Sequence, residues 1–331
     1  MRLSPWEAPL YFRNMKAVSV RELCKGYRVR EKGFFFPTYR DVPALAGVTF
    51  DIEPGERVAF LGPNGAGKST TIKILSGILH PTSGEATVLG EIPWKARGVI
   101  AYQIGTVFGQ RSQLWYHLPA SDTFDLLARV YDLSSADYRE RRRQLVERFD
   151  AGALLAKPVR SLSLGERMRL EIIASLLHRP RILFLDEPTI GLDVTAKTII
   201  RELVREASVS EGVTILLTSH DTGDVERVCD RVLVINHGRL LLNQALATLR
   251  SRYIKKKVLT LLTVEPSVTL SLPGTTMVEA SPHRLCLEID ADVTSVEEVI
   301  QHAMRATRLK DITVEDPPME EIIKHIYREG P

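Results

Sequence analysis

From about residue 18 to residue 236, apolar runs of four or five residues alternate with longer stretches whose apolar positions recur every three or four residues. Such alternation predicts strands buried on both faces and separated by amphipathic helices, hence an α/β fold with a largely parallel sheet. Ala17-Val18-Ser19-Val20 begins the first strand. Arg57-Val58-Ala59-Phe60-Leu61, Ile182-Leu183-Phe184-Leu185 and Val213-Thr214-Ile215-Leu216-Leu217 are the clearest buried runs. The first leads into a glycine-rich turn and then a helix through Thr71-Ile72-Lys73-Ile74-Leu75; the other two end in polar residues. Ligands of parallel sheets gather at the carboxyl ends of strands, so the candidate chemistry is expected there.

Between positions 118 and 162 the pattern turns helical and densely charged. Arg139, Arg141, Arg142 and Arg143 read there as a solvated helix face. Positions 28 to 43 read as an insertion carrying Phe34, Phe35, Phe36 and Tyr39. Past residue 242 the pattern changes again. Strands are predicted over 258–264, 276–279, 283–289 and 311–314. Helices are predicted over 295–305, capped by Thr294, and over 319–328, which together make a small α+β domain of ferredoxin-like character.

Composition adjusts this picture only slightly. The 331 residues suffice for two domains, and 44% hydrophobic with 26% charged residues is the balance of an ordinary globular chain. A net charge of +3 gives no basic face of the kind nucleic acids demand, so no nucleic-acid partner is expected. Cys24, Cys229 and Cys286 are odd in number and lack metal-ligand spacing, as reduced thiols would. No apolar run nears the roughly 18 residues that span a bilayer. Residues 1–17 lack a signal-peptide pattern and read as an N-terminal extension.

Two motifs carry the chemistry. Gly62-Pro63-Asn64-Gly65-Ala66-Gly67-Lys68-Ser69-Thr70 fits G-x-x-x-x-G-K-[ST] between a strand and a helix. Its glycines let backbone N–H groups cradle phosphate, the helix start adds a positive dipole end, Lys68 reaches the outer phosphates and Ser69 ligates Mg²⁺. Leu183-Phe184-Leu185-Asp186-Glu187-Pro188 is a buried strand that delivers two carboxylates to the sheet edge. Asp186 suits a Mg²⁺-holding role, and Glu187 suits the general base that polarises water.

Upstream lies Leu162-Ser163-Leu164-Gly165-Glu166-Arg167, opening a helix. With it the chain resembles the ATP-binding subunits of ATP-binding-cassette (ABC) transporters, whose signature is L-S-G-G-Q; Leu164 stands here for the first glycine and Glu166 for the glutamine. Gln110, followed by Leu114 and Leu118, resembles the Q-loop glutamine. Gly191-Leu192-Asp193 resembles the D-loop, His220 in Thr218-Ser219-His220-Asp221 the switch histidine, and Tyr27 the aromatic that stacks on adenine. The resemblance implies a P-loop NTPase cassette over 18–243: a RecA-like core sheet, an antiparallel β subdomain and a helical subdomain near 111–165. A C-terminal α+β accessory domain would occupy 244–331. It implies ATP and Mg²⁺ as ligands, with Gln110 joining Ser69 and Asp186 at the metal and joining Lys68, Glu187 and His220 in catalysis. It further implies a head-to-tail homodimer or pseudo-dimer, in which Ser163 and Gly165 of one subunit close over the other's nucleotide, with Glu166 and Asp193 also among the nucleotide-binding residues.

Positions 107–110, 187–193 and the C-terminal domain look most like the ABC-2-type exporter ATPases of drug and natural-product efflux. That likeness implies a separate integral-membrane permease and a place on the cytoplasmic face of the membrane, with Trp115 and Tyr116 as candidate anchors for the permease. A translation or DNA-repair ABC ATPase is the competing reading, but the second cassette or long coiled coil usual in those classes is not seen.

Overall fold

The computed structural model describes residues 15–31, 38–109, 111–253, 256–266, 270–316 and 319–329. The chain divides into two units, 1–244 and 245–331. In the first, β1 (Val18–Glu31), β2 (Thr38–Ile52), β3 (Arg57–Leu61), α1 (Lys68–Leu75), β4 (Ser83–Val88), α2 (Arg97–Ala101) and β5 (Ile104–Phe108) come first. Helices α3 (Ala120–Val130), α4 (Ser135–Arg148) and α5 (Leu164–Leu176) follow. Then β6 (Ile182–Asp186), α6 (Val194–Glu211), β7 (Thr214–Ser219), α7 (Thr222–Val228), β8 (Arg231–Asn236) and β9 (Arg239–Ala245) complete the series.

Two sheets form from these strands. One has the order β2-β1-β4 and is antiparallel; the other has the order β5-β6-β7-β3-β8-β9, with β5, β6, β7, β3 and β8 parallel neighbours. Val18, Val20 and Leu23 of β1, Val48, Phe50 and Ile52 of β2, Phe60 of β3 and Ile72, Ile74 and Leu75 of α1 share one core. The Phe50 and Phe60 rings sit 5.8 Å apart within it. Parallel register then decides where the chemistry sits. Phe108 pairs with Asp186, Asp186 with Thr218, and Phe60 with Thr218, so four strands end in one row.

Of positions 28–43, expected as an insertion, the described residues 28–31 and 38–43 lengthen the β1–β2 hairpin: the ladder continues through Tyr27↔Val42 and Val29↔Arg40 to Glu31↔Thr38. Tyr39 lies on it under the Arg28 guanidinium, 4.7 Å from the ring centroid. Phe34, Phe35 and Phe36 lie outside the described residues.

The arginine run also departs from expectation. Arg139 and Arg143 are exposed, but Arg141 is buried. Its guanidinium donates to the Leu176 carbonyl at 2.9 and 3.2 Å and pairs with Glu211 at 2.7 Å. A buried guanidinium needs partners for its charge and its N–H groups, and α4 supplies this one to the ends of α5 and α6.

The second unit runs α8 (Leu246–Tyr253), β10 (Lys256–Thr263), β11 (Thr275–Ser281), β12 (Arg284–Asp290), α9 (Val296–Ala306), β13 (Leu309–Glu315) and α10 (Met319–Glu329). Its sheet has the order β11-β12-β10-β13, antiparallel throughout. Leu259, Leu261, Leu285, Leu287 and Ile289 pack with Val299 and Ala303 of α9. The unit is α+β with the order βββαβα, and among the described residues no helix stands between its first and second strands, where a ferredoxin-like fold requires one. Ser295, not Thr294, caps α9: Glu298 three residues on completes a capping box, while the Thr294 N–H closes a turn on the Asp290 carbonyl. Among the described residues no helix is long and apolar enough to cross a membrane.

Candidate functional site

Strand β3 ends at Leu61, and residues 62–67 turn the chain into α1. Gly67 makes this turn possible. It sits at φ 110°, and a Cβ there would stand 2.6 Å from both the Ala44 carbonyl oxygen and Leu45 Cδ2. It is also the N-cap of α1, and no side chain caps that helix start. Its first-turn N–H groups and the positive end of its dipole therefore face the loop, a combination suited to anions.

Lys68 is buried. Its Nζ donates to the Gly62 carbonyl at 2.6 Å and the Pro63 carbonyl at 3.3 Å, and pairs with Glu187 Oε1 at 3.1 Å. Ser69 Oγ donates to Asp186 Oδ1 at 2.8 Å. Asp186 Oδ1 also accepts from Thr218 Oγ1 at 2.6 Å. Glu187 stands at φ 54°, a left-handed backbone for a non-glycine residue. Its N–H donates to the Thr218 carbonyl at 3.1 Å and to Thr218 Oγ1 at 3.0 Å, and its Oε2 lies 2.6 Å from His220 Nδ1. The row of strand ends thus brings Lys68, Ser69, Asp186, Glu187 and His220 together.

A cavity of about 370 Å³ opens beside this cluster, lined by Tyr27, Ala44, Pro63, Asn64, Gly65, Ala66, Gly67, Lys68, Ser69, Thr70, Glu187 and Ile190. The Tyr27 hydroxyl is 3.5 Å from Thr70 Oγ1, and Lys25 Nζ is 5.5 Å from the Tyr27 ring centroid. Gln110 lies outside the described residues. Its neighbours are placed: the Gly109 N–H donates to the Asp186 carbonyl at 2.8 Å, and the Arg111 N–H to the Phe108 carbonyl at 2.9 Å.

Ser163, Gly165, Glu166 and Asp193 are not among the residues lining the cavity. Ser163 is the N-cap of α5: its hydroxyl accepts from the Glu166 N–H at 3.2 Å, and the Ser163 N–H donates to Glu166 Oε2 at 2.8 Å. The backbone bond from Ser163 holds the Glu166 carboxyl below the usual carboxylate range. Gly165 falls in the first turn of α5, and Asp193 caps α6 through the Ala196 N–H. Leu164 folds back toward the turn after Glu187. A Cβ on Gly191, itself at φ 73°, would meet Leu164 Cδ2 at 3.2 Å.

Sequence reasoning did not assign Thr218, Ala44 or Ile190 to the site. Thr218 stands inside the segment that pointed to His220, and its place at the carboxyl end of a buried run was the available signal. Ala44 and Ile190 carry no chemical signature; only folding puts them at the cavity.

The family model described as ABC transporter matches residues 45–190. The chain is 34% identical over 208 residues to the ABC transporter ATP-binding protein NatA of Bacillus subtilis (strain 168), a match covering 63% of this chain and 84% of NatA. It is 32% identical over 297 residues to the daunorubicin resistance ATP-binding protein DrrA3 of Streptomyces coeruleorubidus, covering 87% of this chain and 92% of that protein. This chain belongs to the ABC transporter ATP-binding proteins.

Among solved structures, the fold of this ABC protein is similar to an ATP-binding subunit of an ABC transporter, with TM-score 0.61, 28% identity, and 72% of this chain and 93% of that one covered. It is also similar to the ATP-binding cassette MJ0796, described as a dimer in a post-hydrolysis state bound to ADP and Pi. That likeness has TM-score 0.59 and 26% identity, with 69% of this chain and 98% of that one covered. The α/β P-loop cassette is therefore the fold of the first unit, and the ABC protein is an ATP-binding, ATP-hydrolysing transporter subunit. The translation and DNA-repair reading is not favoured, because the likeness to DrrA3 covers 87% of the chain, more than the 1–244 unit could hold.

Proposed function

We propose that this subunit is the motor of an ABC-2-type exporter, working as a head-to-tail pair on the cytoplasmic face of a membrane through a separate permease. The observation that carries the catalytic part is the cluster of Lys68, Glu187 and His220, of which Lys68 and Glu187 line one cavity. Lys68 would bind the outer phosphates of ATP and Tyr27 its base, while Glu187 takes a proton from the attacking water. His220, within hydrogen-bond reach of Glu187, would hold that carboxylate and the departing phosphate in line. Gln110, Ser163, Gly165, Glu166 and Asp193 complete the set, the last four across the pair.

Ser69 Oγ and Asp186 Oδ1, a hydroxyl and a carboxylate 2.8 Å apart, are hard oxygen donors of the kind Mg²⁺ takes. Among the described residues no group of three or more His, Cys, Asp or Glu could hold a metal, which fits an ion bound mainly through substrate phosphates. Mg²⁺ at these two residues would neutralise phosphate charge.

The exporter reading rests on the drug-resistance relatives and on exposed Trp115 and Tyr116, at 45% and 55%, as permease contacts. Co-purification from membranes tests it. Recovery with a permease, lost in a Trp115→Ala/Tyr116→Ala variant that still hydrolyses ATP, is the expected result; recovery with ribosomes or DNA would sink it.

A further inference from the structure

Asp224 is fully buried on α7 and is not among the residues lining the cavity. Its Oδ2 accepts two hydroxyls, Thr189 Oγ1 at 2.6 Å and Ser219 Oγ at 2.6 Å. Its Oδ1 accepts Arg201 Nε at 2.7 Å. A carboxylate taken wholly out of water is tolerated only when its charge and lone pairs are met, and Asp224 is met on both oxygens.

The two hydroxyls come from the two segments that carry the chemistry. Thr189 stands two residues after Glu187, and Ser219 is the residue before His220. The Glu187 Oε2 to His220 Nδ1 distance of 2.6 Å therefore depends on two loops that leave different strands, β6 and β7. Glu187 also occupies a left-handed backbone, which surrounding contacts must enforce. Thr218 bonds fix its N–H from one side, and the Thr189–Asp224 bond fixes the turn that follows.

We propose that Asp224 is a positioning residue for ATP hydrolysis: one carboxylate oxygen ties Thr189 to Ser219 and so keeps Glu187 and His220 in register. The proposal rests on the catalytic reading of Glu187 and His220 given above. Asp224 touches neither substrate nor reacting atoms, and Arg201 keeps its charge satisfied.

The test is ATP hydrolysis by the full chain, with nucleotide affinity measured separately using a fluorescent ATP analogue. Thr189→Val keeps shape and removes the donor; it should lower kcat about tenfold with KM changed less than about twofold, and Thr189→Ser should restore the rate. In a His220→Ala background, Thr189→Val should change kcat by less than about twofold, because the partner being positioned is gone. Asp224→Asn should behave as Thr189→Val does. If it does not fold, the Thr189 pair decides alone.

A wild-type kcat in Thr189→Val, an effect confined to KM, or a tenfold loss that persists without His220 would each overturn the proposal. The catalytic reading fails differently. Wild-type rates in Glu187→Gln and His220→Ala would remove it, whereas their loss alongside an unaffected Thr189→Val would remove the positioning role alone.

Discussion

Helices α1 and α5 begin in opposite ways. Helix α1 starts on Gly67 with no side chain bonding its first turn. Helix α5 starts on Ser163 with both halves of a capping box made, hydroxyl to Glu166 N–H and carboxylate to Ser163 N–H. The opening N–H groups of any helix lack partners within it. In α1 glycine geometry leaves them to a ligand, whereas in α5 the sequence satisfies them locally. Two helix starts in one cassette are thus unequal anion sites: a phosphate reaching α5 meets a carboxylate already seated there. The far end of α5 is held as well, because Arg141 donates to the Leu176 carbonyl.

This contrast can be broken at several points. The largest effect belongs to the α1 side. Glu187→Gln should cut kcat by about a hundredfold or more, as removal of a general base does, while ATP still binds. Steady-state hydrolysis and a nucleotide-trapped pair on size-exclusion chromatography check both halves, and a normal rate would show that the base is elsewhere. On the α5 side, Arg141→Ala leaves Glu211 to Arg148 alone and frees the Leu176 carbonyl, at a cost of about 3 kcal/mol in denaturant unfolding.

Acid should loosen the same end of α5. Burial pushes His178 down to about 4, its Nε2 lies 2.9 Å from the Ile104 carbonyl, and its ring stacks on Tyr131 at 3.8 Å. A neutral folded histidine takes up its proton more readily when unfolded. Its contribution is therefore complete above about pH 6.5 and drains away as pH falls toward about 4, by roughly 3 kcal/mol. Urea titrations across that window should show the slope in the wild type and a shallower one in His178→Gln.

Gly67→Ala gives the α1 start a side chain where φ is 110° and the Ala44 carbonyl is in the way. A loss of about 2 kcal/mol in stability and weaker ATP binding are expected, read by thermal melts and nucleotide titration. Ser163→Ala is the mildest. It removes one cap, for about 1 kcal/mol of stability, and should leave ATP affinity at Lys68 untouched in the isolated subunit. Equal losses of ATP affinity in Gly67→Ala and Ser163→Ala would erase the distinction between the two helix starts.

What could be read beforehand divides along physical lines. The apolar runs at β3, β6 and β7 were legible because strands buried on both faces leave no polar alternation. The phosphate loop was legible because Gly67, Lys68 and Ser69 are the residue types its chemistry demands. Arg141 was not, since a run of arginines looks the same whether one of them turns inward or not. Its burial follows from where Glu211 and Leu176 arrive, 70 and 35 residues away. The long β1–β2 hairpin was missed because Gly33, three phenylalanines and Pro37 interrupt its alternation. The cap of α9 was recoverable, for Glu298 three residues after Ser295 distinguishes it from Thr294. The strand order of the second unit was not, because pairing between β10 and β13 is information held at a distance.

The ion pair between Lys68 and Glu187 has a further meaning. A buried ammonium wants a counter-charge, and here the candidate base supplies it. Any phosphate that reaches Lys68 must therefore compete with the very carboxylate proposed to attack it by way of water. Substrate entry and release of the base become one exchange: the group is withheld until an anion takes its seat. The sign of the consequence is fixed. Glu187→Gln removes the competitor, so the change that stops turnover should also tighten the grip on ATP.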